Sequence, residues 1–185
     1  MNQVLLIIDT QKDLVEGSHV EQGVFQKDLL LRKINLLIEK ARELAVPVIF
    51  IRDKDVAEGE GEGFDVHPEI NRASSDVCFD KEATNAFYRT GLLDYLKQHQ
   101  VEHLVIAGCK TEHCIDTAVR TATVNGFDVT LAGDAHSTSN SDVLSANQII
   151  AHHNVALHGH YNVDHFSVVR EVEEDLFTPS HDTYR

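Results

Sequence analysis

Short apolar runs separated by amphipathic segments are the feature that most constrains the fold of this chain. The first run covers residues 4–8 and stops at Asp9. Comparable runs cover residues 48–51, 103–107, 127–132 and 166–169, and a shorter one covers residues 77–79. Short continuous apolar runs bounded by polar residues are typical of strands buried on both faces of a parallel sheet. The chain is therefore expected to contain about six such strands.

The segments between these runs have the periodicity of helices. Apolar residues recur at helical spacing over residues 25–44, and further helices are expected over residues 90–99, 112–125 and 142–157. This alternation predicts a single domain over residues 1–185, a three-layer α/β sandwich with a mostly parallel, about six-stranded sheet in a Rossmann-like order. The Glu-Gly repeat at residues 58–63 is expected to form an exposed acidic loop, either a lid over a site or a solvated insertion.

The composition limits the partners of the protein. Sixteen basic residues against thirty acidic ones give a formal net charge of -14, which repels nucleic-acid phosphates and anionic lipid surfaces. No secretion signal or membrane span is recognised, and the three cysteines form neither an even disulfide framework nor a C-x-x-C pair. We therefore expect a cytoplasmic protein with reduced thiols and a small-molecule substrate, and no nucleic-acid or membrane partner.

Polar residues follow several strands at the edge where open α/β sheets bind their ligands. Asp9 follows the first strand, Lys81 follows the short apolar stretch, and Cys114 lies in the first turn of a helix. Thr111 is expected to be the N-cap residue that accepts from the amide of Cys114. The helix dipole and the ammonium of Lys81 would lower the pKa of the Cys114 thiol and activate it as a nucleophile. On position alone, an inert packing cysteine is the commoner case.

Five ordered motifs resemble the isochorismatase-like cysteine hydrolase superfamily, which includes nicotinamidases, N-carbamoylsarcosine amidases and ureidoacrylate hydrolases. They are Asp9-Thr10-Gln11; Lys81 with Asn85-Ala86-Phe87 and Thr90-x-Leu92; Gly108-x-x-Thr111-x-x-Cys114 with Thr117-Ala118; Gly126-Phe127-x-Val129; and Asp134-Ala135. The resemblance covers most of the chain. It implies the isochorismatase-like version of the α/β fold inferred above.

The resemblance also implies a catalytic triad of Asp9, Lys81 and Cys114. Thiolate attack on an amide carbon needs a base that takes the thiol proton and returns it to the leaving nitrogen, and Asp9 could do both. Lys81 would favour the thiolate and restrain the charge of Asp9. A cis peptide bond between Cys109 and Lys110, an oxyanion hole formed by the amides of Lys110 and Cys114, and a homo-oligomer are further implications. From the residues alone, Asp9 could instead cap a turn and Lys81 could be a solvated surface side chain.

Six further residues are candidates for contact with a substrate. They are Gln11, Leu14, Phe64, Phe87, His113 and His136. The leucine and the two phenylalanines would supply apolar walls, although each would serve equally well in the core. The two histidines belong to loops at the predicted active edge, and an exposed side chain is the alternative for both.

The chain departs from the metal-binding members of the superfamily. Nicotinamidases carry an Asp-x-His motif after the second strand, whereas this chain reads Arg52-Asp53-Lys54-Asp55-Val56. His152 and His153 are adjacent on a predicted helix and would face different ways, so they would not easily ligate one ion together. Together with the nearby His158 and His160, they are expected to be solvated or interface histidines. We therefore expect no metal and no other cofactor.

These features predict a metal-independent cysteine hydrolase that cleaves a C–N bond in a small amide, carbamoyl or ureido compound through a covalent intermediate on Cys114. Two alternatives stay open. One is an isochorismate-type vinyl-ether hydrolase, in which Asp9 would act as an acid and Cys114 would be dispensable. The other is a non-enzymatic ligand-binding or redox-sensing protein that keeps this fold and a reactive thiol.

Overall fold

Strands and helices alternate along the chain in the computed structural model, which describes residues 2–178 and 181–184. The strands are β1 (Gln3–Ile8), β2 (Val48–Asp53), β3 (Val77–Lys81), β4 (His103–Cys109), β5 (Asp128–Ser137), β6 (Tyr161–Asn162) and β7 (His165–Arg170). The helices are α1 (Lys12–Glu16), α2 (Lys27–Glu43), α3 (Gly61–Phe64), α4 (Leu92–Gln98), α5 (Asp116–Val124) and α6 (Ala146–Leu157). A π-helical turn covers Thr111–Ile115, and 3₁₀ segments cover Val56–Gly59 and His181–Tyr184. Within the described ranges, no helix combines the length and the apolar character of a transmembrane helix.

One sheet of seven strands forms the centre of the molecule, in the order β3-β2-β1-β4-β5-β7-β6. All neighbouring strands run parallel except β6, which pairs antiparallel with β7 at the sheet edge. The α/β class and the mostly parallel sheet of about six strands agree with the sequence prediction, and the structure adds one short edge strand. The additional strand, β6, has only two residues and shows no periodicity in the sequence.

Two hydrophobic cores lie on opposite faces of the sheet. Alternate side chains of β1 point to opposite sides, so Leu5 and Ile7 join one core while Leu6 and Ile8 join the other. The apolar face of α2 covers the first core, and α4 and α5 cover the second. This arrangement gives three layers, and it explains why the central strands are apolar at every position.

Residues 58–63 do not form the simple loop expected from their Glu-Gly repeat. They lie in the 3₁₀ segment and in α3, and Glu58 has a left-handed φ of 55°. Phe64 ends α3, where it is buried and has the guanidinium carbon of Arg52 4.1 Å from its ring centroid. Burial of this aromatic ring stabilises a helical turn that glycine alone would disfavour.

Candidate active site

Asp9, Lys81 and Cys114 come together at the carboxyl edge of the sheet. Asp9 directly follows β1, Lys81 ends β3, and Cys114 lies in the π-helical turn after β4. The Lys81 ammonium is 2.9 Å from Oδ2 of Asp9 and 3.4 Å from Sγ of Cys114. The exposed fractions are 1% for Asp9, 1% for Lys81 and 8% for Cys114, so the three groups interact with little screening by water.

Gly108 allows the close approach of β1, which Asp9 follows, and β4, which leads into the turn with Cys114. It is the register partner of Ile8 across β1 and β4, and its φ is 123°. A Cβ atom at this position would overlap the carbonyl oxygen of Ile8, so any other residue would push the strands apart. The next residue after Ile8 is Asp9, which has a left-handed φ of 50°. Such backbone strain in a non-glycine residue is characteristic of functional sites.

Asp53 is a member of this cluster whose role the sequence reasoning did not recognise. Its carboxylate forms an ion pair with Lys81, its register partner on the neighbouring strand. Gln11 fixes the end of β2 with two backbone contacts, since its side-chain amide donates to the Asp53 carbonyl at 2.9 Å and its carbonyl accepts from the Asp53 amide at 2.7 Å. Gln11 therefore positions Asp53, and it is not among the residues that line the cleft.

Burial and mutual charge shift the pKa values of the clustered groups. Burial raises the pKa of Asp9 to about 6, although the Lys81 ammonium opposes this shift. Burial alone would lower the pKa of Lys81, but the Asp9 and Asp53 carboxylates outweigh it and raise that pKa. At neutral pH the cluster therefore contains a carboxylate at Asp9 beside a permanently charged Lys81.

The thiol of Cys114 is not activated in the way the sequence suggested. Burial and the neighbouring Asp9 carboxylate raise its pKa, so the predicted thiolate at neutral pH is wrong for the resting site. Thr111 does not cap the helix either, because Lys110 occupies the N-cap position and no side chain caps it. The Lys110 carbonyl accepts from the amides of His113 and Ile115, both at 3.2 Å. The resting pair is therefore a protonated thiol beside an ionised acid.

Thr111 instead contacts His136 in a buried chain of hydrogen bonds. Its hydroxyl lies 2.8 Å from Nδ1 of His136, and Nε2 of His136 lies 2.8 Å from Oδ1 of Asn154. The amide nitrogen of Asn154 donates to the Gly133 carbonyl, so its Oδ1 must accept from Nε2. The Thr111 hydroxyl consequently donates to Nδ1 of a neutral His136, whose pKa burial lowers to about 4. His136 supports the turn that carries Cys114 and does not reach the cleft.

A cleft of about 210 Å³ opens above the thiol. It is lined by Asp9, Leu14, Glu21, Asp53, Asp55, Val56, Thr84, Lys110, His113 and Cys114. Of the six predicted contact residues, Leu14 and His113 line this cleft. Phe64 packs under Arg52, and Phe87 stacks on Phe127 within the core. The peptide bond between Cys109 and Lys110 is cis, as the family resemblance implied.

The residues of the cluster do not fit a metal ion. Asp9, Asp53 and Cys114 offer ligand atoms within 4.8 Å of one another. The Lys81 ammonium already contacts all three, so a divalent cation would meet a buried positive charge at the position it would need. The second acidic group, Asp134 with Glu171 and Glu173, contains no histidine. Among the described residues, none of the histidines forms such a group with other ligands.

Comparison with known proteins places this geometry in a family. Residues 3–156 match the family model described as the isochorismatase domain. The uncharacterized isochorismatase family protein YrdC of Bacillus subtilis is 28% identical over 138 residues, which cover 72% of each chain. Streptothricin hydrolase of Streptomyces noursei is 29% identical over 140 residues, which cover 74% of this chain and 54% of that protein. This chain therefore matches about half the length of that relative.

A solved structure supports the same assignment. The crystal structure of an isochorismatase family protein superposes with a TM-score of 0.82 at 30% identity, covering 92% of this chain and 98% of that chain. The parallel sheet between two helical layers and the family matches define an α/β enzyme of the hydrolase class. The chain belongs to the isochorismatase family, which confirms the resemblance inferred from its motifs.

Proposed function

We propose that this protein is a metal-independent cysteine hydrolase that cleaves a C–N bond of a small amide, carbamoyl or ureido compound. The observation that carries the proposal is the contact of the Lys81 ammonium with both the Asp9 carboxylate and the Cys114 thiol, at 2.9 Å and 3.4 Å. The contact supports the proposal because a thiol, a carboxylate and a fixed cation lie together at the cleft that Asp9 and Cys114 line. These are the groups that covalent hydrolysis of an amide requires.

In the first half of the proposed reaction, Asp9 takes the proton of the Cys114 thiol while Sγ attacks the carbonyl carbon. The carbonyl oxygen becomes an oxyanion, which accepts hydrogen bonds from the backbone amides of Lys110 and Cys114. Asp9, now a carboxylic acid, donates its proton to the leaving nitrogen as the C–N bond breaks. The products of this half are a thioester on Cys114 and a free amine or ammonia.

In the second half, Asp9 takes a proton from a water molecule that attacks the thioester carbon. The tetrahedral intermediate collapses, the C–S bond breaks, and Asp9 returns the proton to the departing sulfur. A pKa of about 6 suits this exchange, because Asp9 is ionised at neutral pH yet remains basic enough to accept a proton. Lys81 keeps the cluster close to neutral in each step through its ion pairs with Asp9 and Asp53.

The test is replacement of the nucleophile with a matched control. We expect Cys114→Ala to lower kcat/KM by about 10⁴-fold on a panel of small amides followed by ammonia release. Cys78→Ala, which removes a thiol outside the cleft, should retain activity. Dialysis against EDTA should leave the wild-type rate unchanged, because no proposed step uses a Lewis acid.

Two outcomes would contradict the proposal. Full activity of Cys114→Ala would favour the vinyl-ether alternative, in which Asp9 acts as an acid and the thiol is dispensable. Loss of activity on chelation, with recovery on adding a divalent ion, would show that a metal takes part. Detection of a mass increase on the Cys114 peptide during turnover, matching the acyl or carbamoyl part of the substrate, would directly support the covalent intermediate.

A further inference from the structure

Negatively charged side chains outnumber positively charged ones around Cys114. Four carboxylates line the cleft, those of Asp9, Glu21, Asp53 and Asp55. Two ammonium groups face them. One is that of Lys110 in the cleft lining, and the other is that of Lys81 beneath it. Within a cleft of about 210 Å³, a charge imbalance acts at short range on any small molecule that enters.

The ion pairs in the cleft determine which charged side chain remains without a partner. Lys81 lies between Asp9 and Asp53, and Lys110 forms an ion pair with Glu21 at the cleft wall. The backbone amide of Asp55 donates to the Asp53 carboxylate at 3.0 Å, but the Asp55 side chain does not cap the 3₁₀ segment that it precedes. In the described part of the chain, no cation pairs with the Asp55 carboxylate. The unmatched charge of the cleft lining is therefore negative.

A second observation concerns a buried hydrogen-bond acceptor in the same cleft. Oδ1 of Asp9 is buried and has no hydrogen bond of ordinary geometry among the described residues, although the carboxylate interacts with the Lys81 ammonium and with the Cys114 thiol. A buried carboxylate oxygen without a well-placed donor is costly, and it is an unfilled position for a donor group. The cleft thus presents one buried acceptor beside Cys114 and one free carboxylate at Asp55.

We propose that the cleft selects a small amide or carbamoyl compound that carries an ammonium group, with the scissile group at Cys114 and the ammonium toward Asp55. This inference rests on the proposed hydrolase function and assigns its substrate class. The formal net charge of -14 on the chain adds a field that attracts cations. An anionic substrate would instead have to break the Lys110–Glu21 ion pair to find a counter-charge.

The first experiment reads the charge of the cleft without requiring turnover. Cys114 is modified with three methanethiosulfonate reagents that bear an aminoethyl, an ethyl or a sulfonatoethyl group, and the modified peptide is followed by mass spectrometry. In each case the sulfur of Cys114 attacks the sulfenyl sulfur and methanesulfinate leaves. Rates are divided by those of 2-mercaptoethanol with the same reagents. We expect the cationic reagent to react about tenfold faster than the anionic one at low salt, with the difference shrinking as salt is added.

Two variants with the same change in charge localise the effect. Asp55→Asn should lower the cation-to-anion rate ratio by about threefold or more, because it removes the unpaired carboxylate. Glu102→Gln is the control, since Glu102 is exposed and precedes β4 at the opposite edge of the sheet, and it should leave the ratio as in the wild type. Equal ratios in Asp55→Asn and Glu102→Gln, or a wild-type preference for the anionic reagent, would overturn the charge selectivity.

The second experiment compares kcat/KM for 3-aminopropanamide, butanamide and succinamate, which differ mainly in the charge of one end group. We expect the order cation, neutral, anion, with the cationic advantage reduced in Asp55→Asn. A reversed order would overturn the substrate class while leaving amide hydrolysis supported. Absence of hydrolysis for a broad amide panel would overturn the proposed function itself, whereas the thiol modification rates would still report whether the cleft selects cations.

Discussion

Two buried polar clusters lie at opposite edges of the same sheet, and they differ in the charge of their groups. At the amino edge, His103 at the start of β4 lies 2.9 Å from the Thr130 hydroxyl and 3.1 Å from the side-chain oxygen of Gln3, so both ring nitrogens are used. Burial, helped by nearby His181, lowers the pKa of His103 to about 3 and keeps it neutral. At the carboxyl edge, Asp9 and Lys81 are charged, and Oδ1 of Asp9 has no hydrogen bond of ordinary geometry among the described residues.

The comparison shows that burial of polar groups does not by itself mark a functional site. Both clusters are removed from water, yet only one keeps a charged base and a thiol beside an open cleft. Only that cluster contains a non-glycine residue, Asp9, with left-handed φ at a strand end. A neutral hydrogen-bonded cluster is typical of a structural network, whereas buried charges beside an open cleft and backbone strain indicate a site prepared for a ligand.

The largest expected difference between the clusters is the effect of removing one carboxylate from each. Asp9→Asn should lower kcat/KM by about 10³-fold, because the variant lacks the carboxylate that we propose accepts the thiol proton. Asp128→Asn, at the start of β5, should keep kcat/KM within about twofold and change stability by less than about 1 kcal/mol, since the asparagine Oδ1 can still accept from the amide of Phe166. Steady-state kinetics and chemical denaturation check both. Similar losses of activity in the two variants would remove the functional distinction between the edges.

The wild-type pH profile tests the same base. In the proposed reaction the working form of Asp9 is the carboxylate, which is present above its pKa of about 6 and absent below it. We therefore expect kcat/KM to fall as the pH is lowered through about 6. A profile that stays flat down to pH 4 would show that ionisation of Asp9 does not control the reaction.

The two buried histidines should make both clusters sensitive to acid. The pKa values of His136 and His103 are about 4 and about 3 in the folded protein, against 6.5 for an exposed ring. The unfolded chain therefore binds protons first, and stability is lost as the pH falls below 6.5 toward these values, by about 2 kcal/mol for each histidine between pH 7 and pH 5. Asp9 shifts in the opposite sense, because its raised pKa favours folding as it becomes protonated.

Histidine ring resonances provide the direct measurement. NMR signals of His103 and His136 should not titrate between pH 5.5 and pH 8. A midpoint near 6.5 for either ring would contradict the neutral hydrogen-bond chains described for it.

The smallest expected difference is in kcat, and it concerns two threonine–histidine contacts of nearly equal distance. Thr111 lies 2.8 Å from His136 at the carboxyl edge, and Thr130 lies 2.9 Å from His103 at the amino edge. Thr111→Val and Thr130→Val should each cost about 1–3 kcal/mol, because a buried ring nitrogen loses its partner. Only Thr111→Val should also lower kcat, by about threefold to tenfold, since Thr111 belongs to the turn that carries Cys114. Equal kcat values for the two variants would mean that the hydrogen bonds from Thr111 through His136 to Asn154 do not position Cys114.

The sequence predicted the sheet well because its central strands are buried on both faces and are apolar throughout. The pairing of Asp53 with Lys81 depends on the register of β2 against β3, which no short pattern specifies. The side-chain orientation of His136 could not be predicted from the sequence either. The pairing of β4 with β5 shifts register between Ile106 and Gly108. Such a bulge breaks the alternation of side chains along a strand, so period-two reasoning could not place His136.

The charge state of Cys114 shows a different limit of sequence reasoning. The helix start and the nearby Lys81 were visible as motifs, but burial of the thiol was not. Burial and the Asp9 carboxylate together raise the pKa that the motif had suggested would fall. The sum of such opposing effects depends on the depth of each group, which only the packed structure defines.

The pairing of Ile8 with Gly108 has a consequence for how the enzyme becomes active as it folds. About a hundred residues of chain separate these partners, and contacts of such high sequence separation form slowly because a long loop must close first. No fragment that ends before β4 is able to bring Asp9 beside Cys114, so the proposed active site cannot assemble until most of the chain has been synthesised. On dilution from denaturant, the return of activity should follow the docking of β1 on β4, with the Cys114 thiol exposed to other reactions until then.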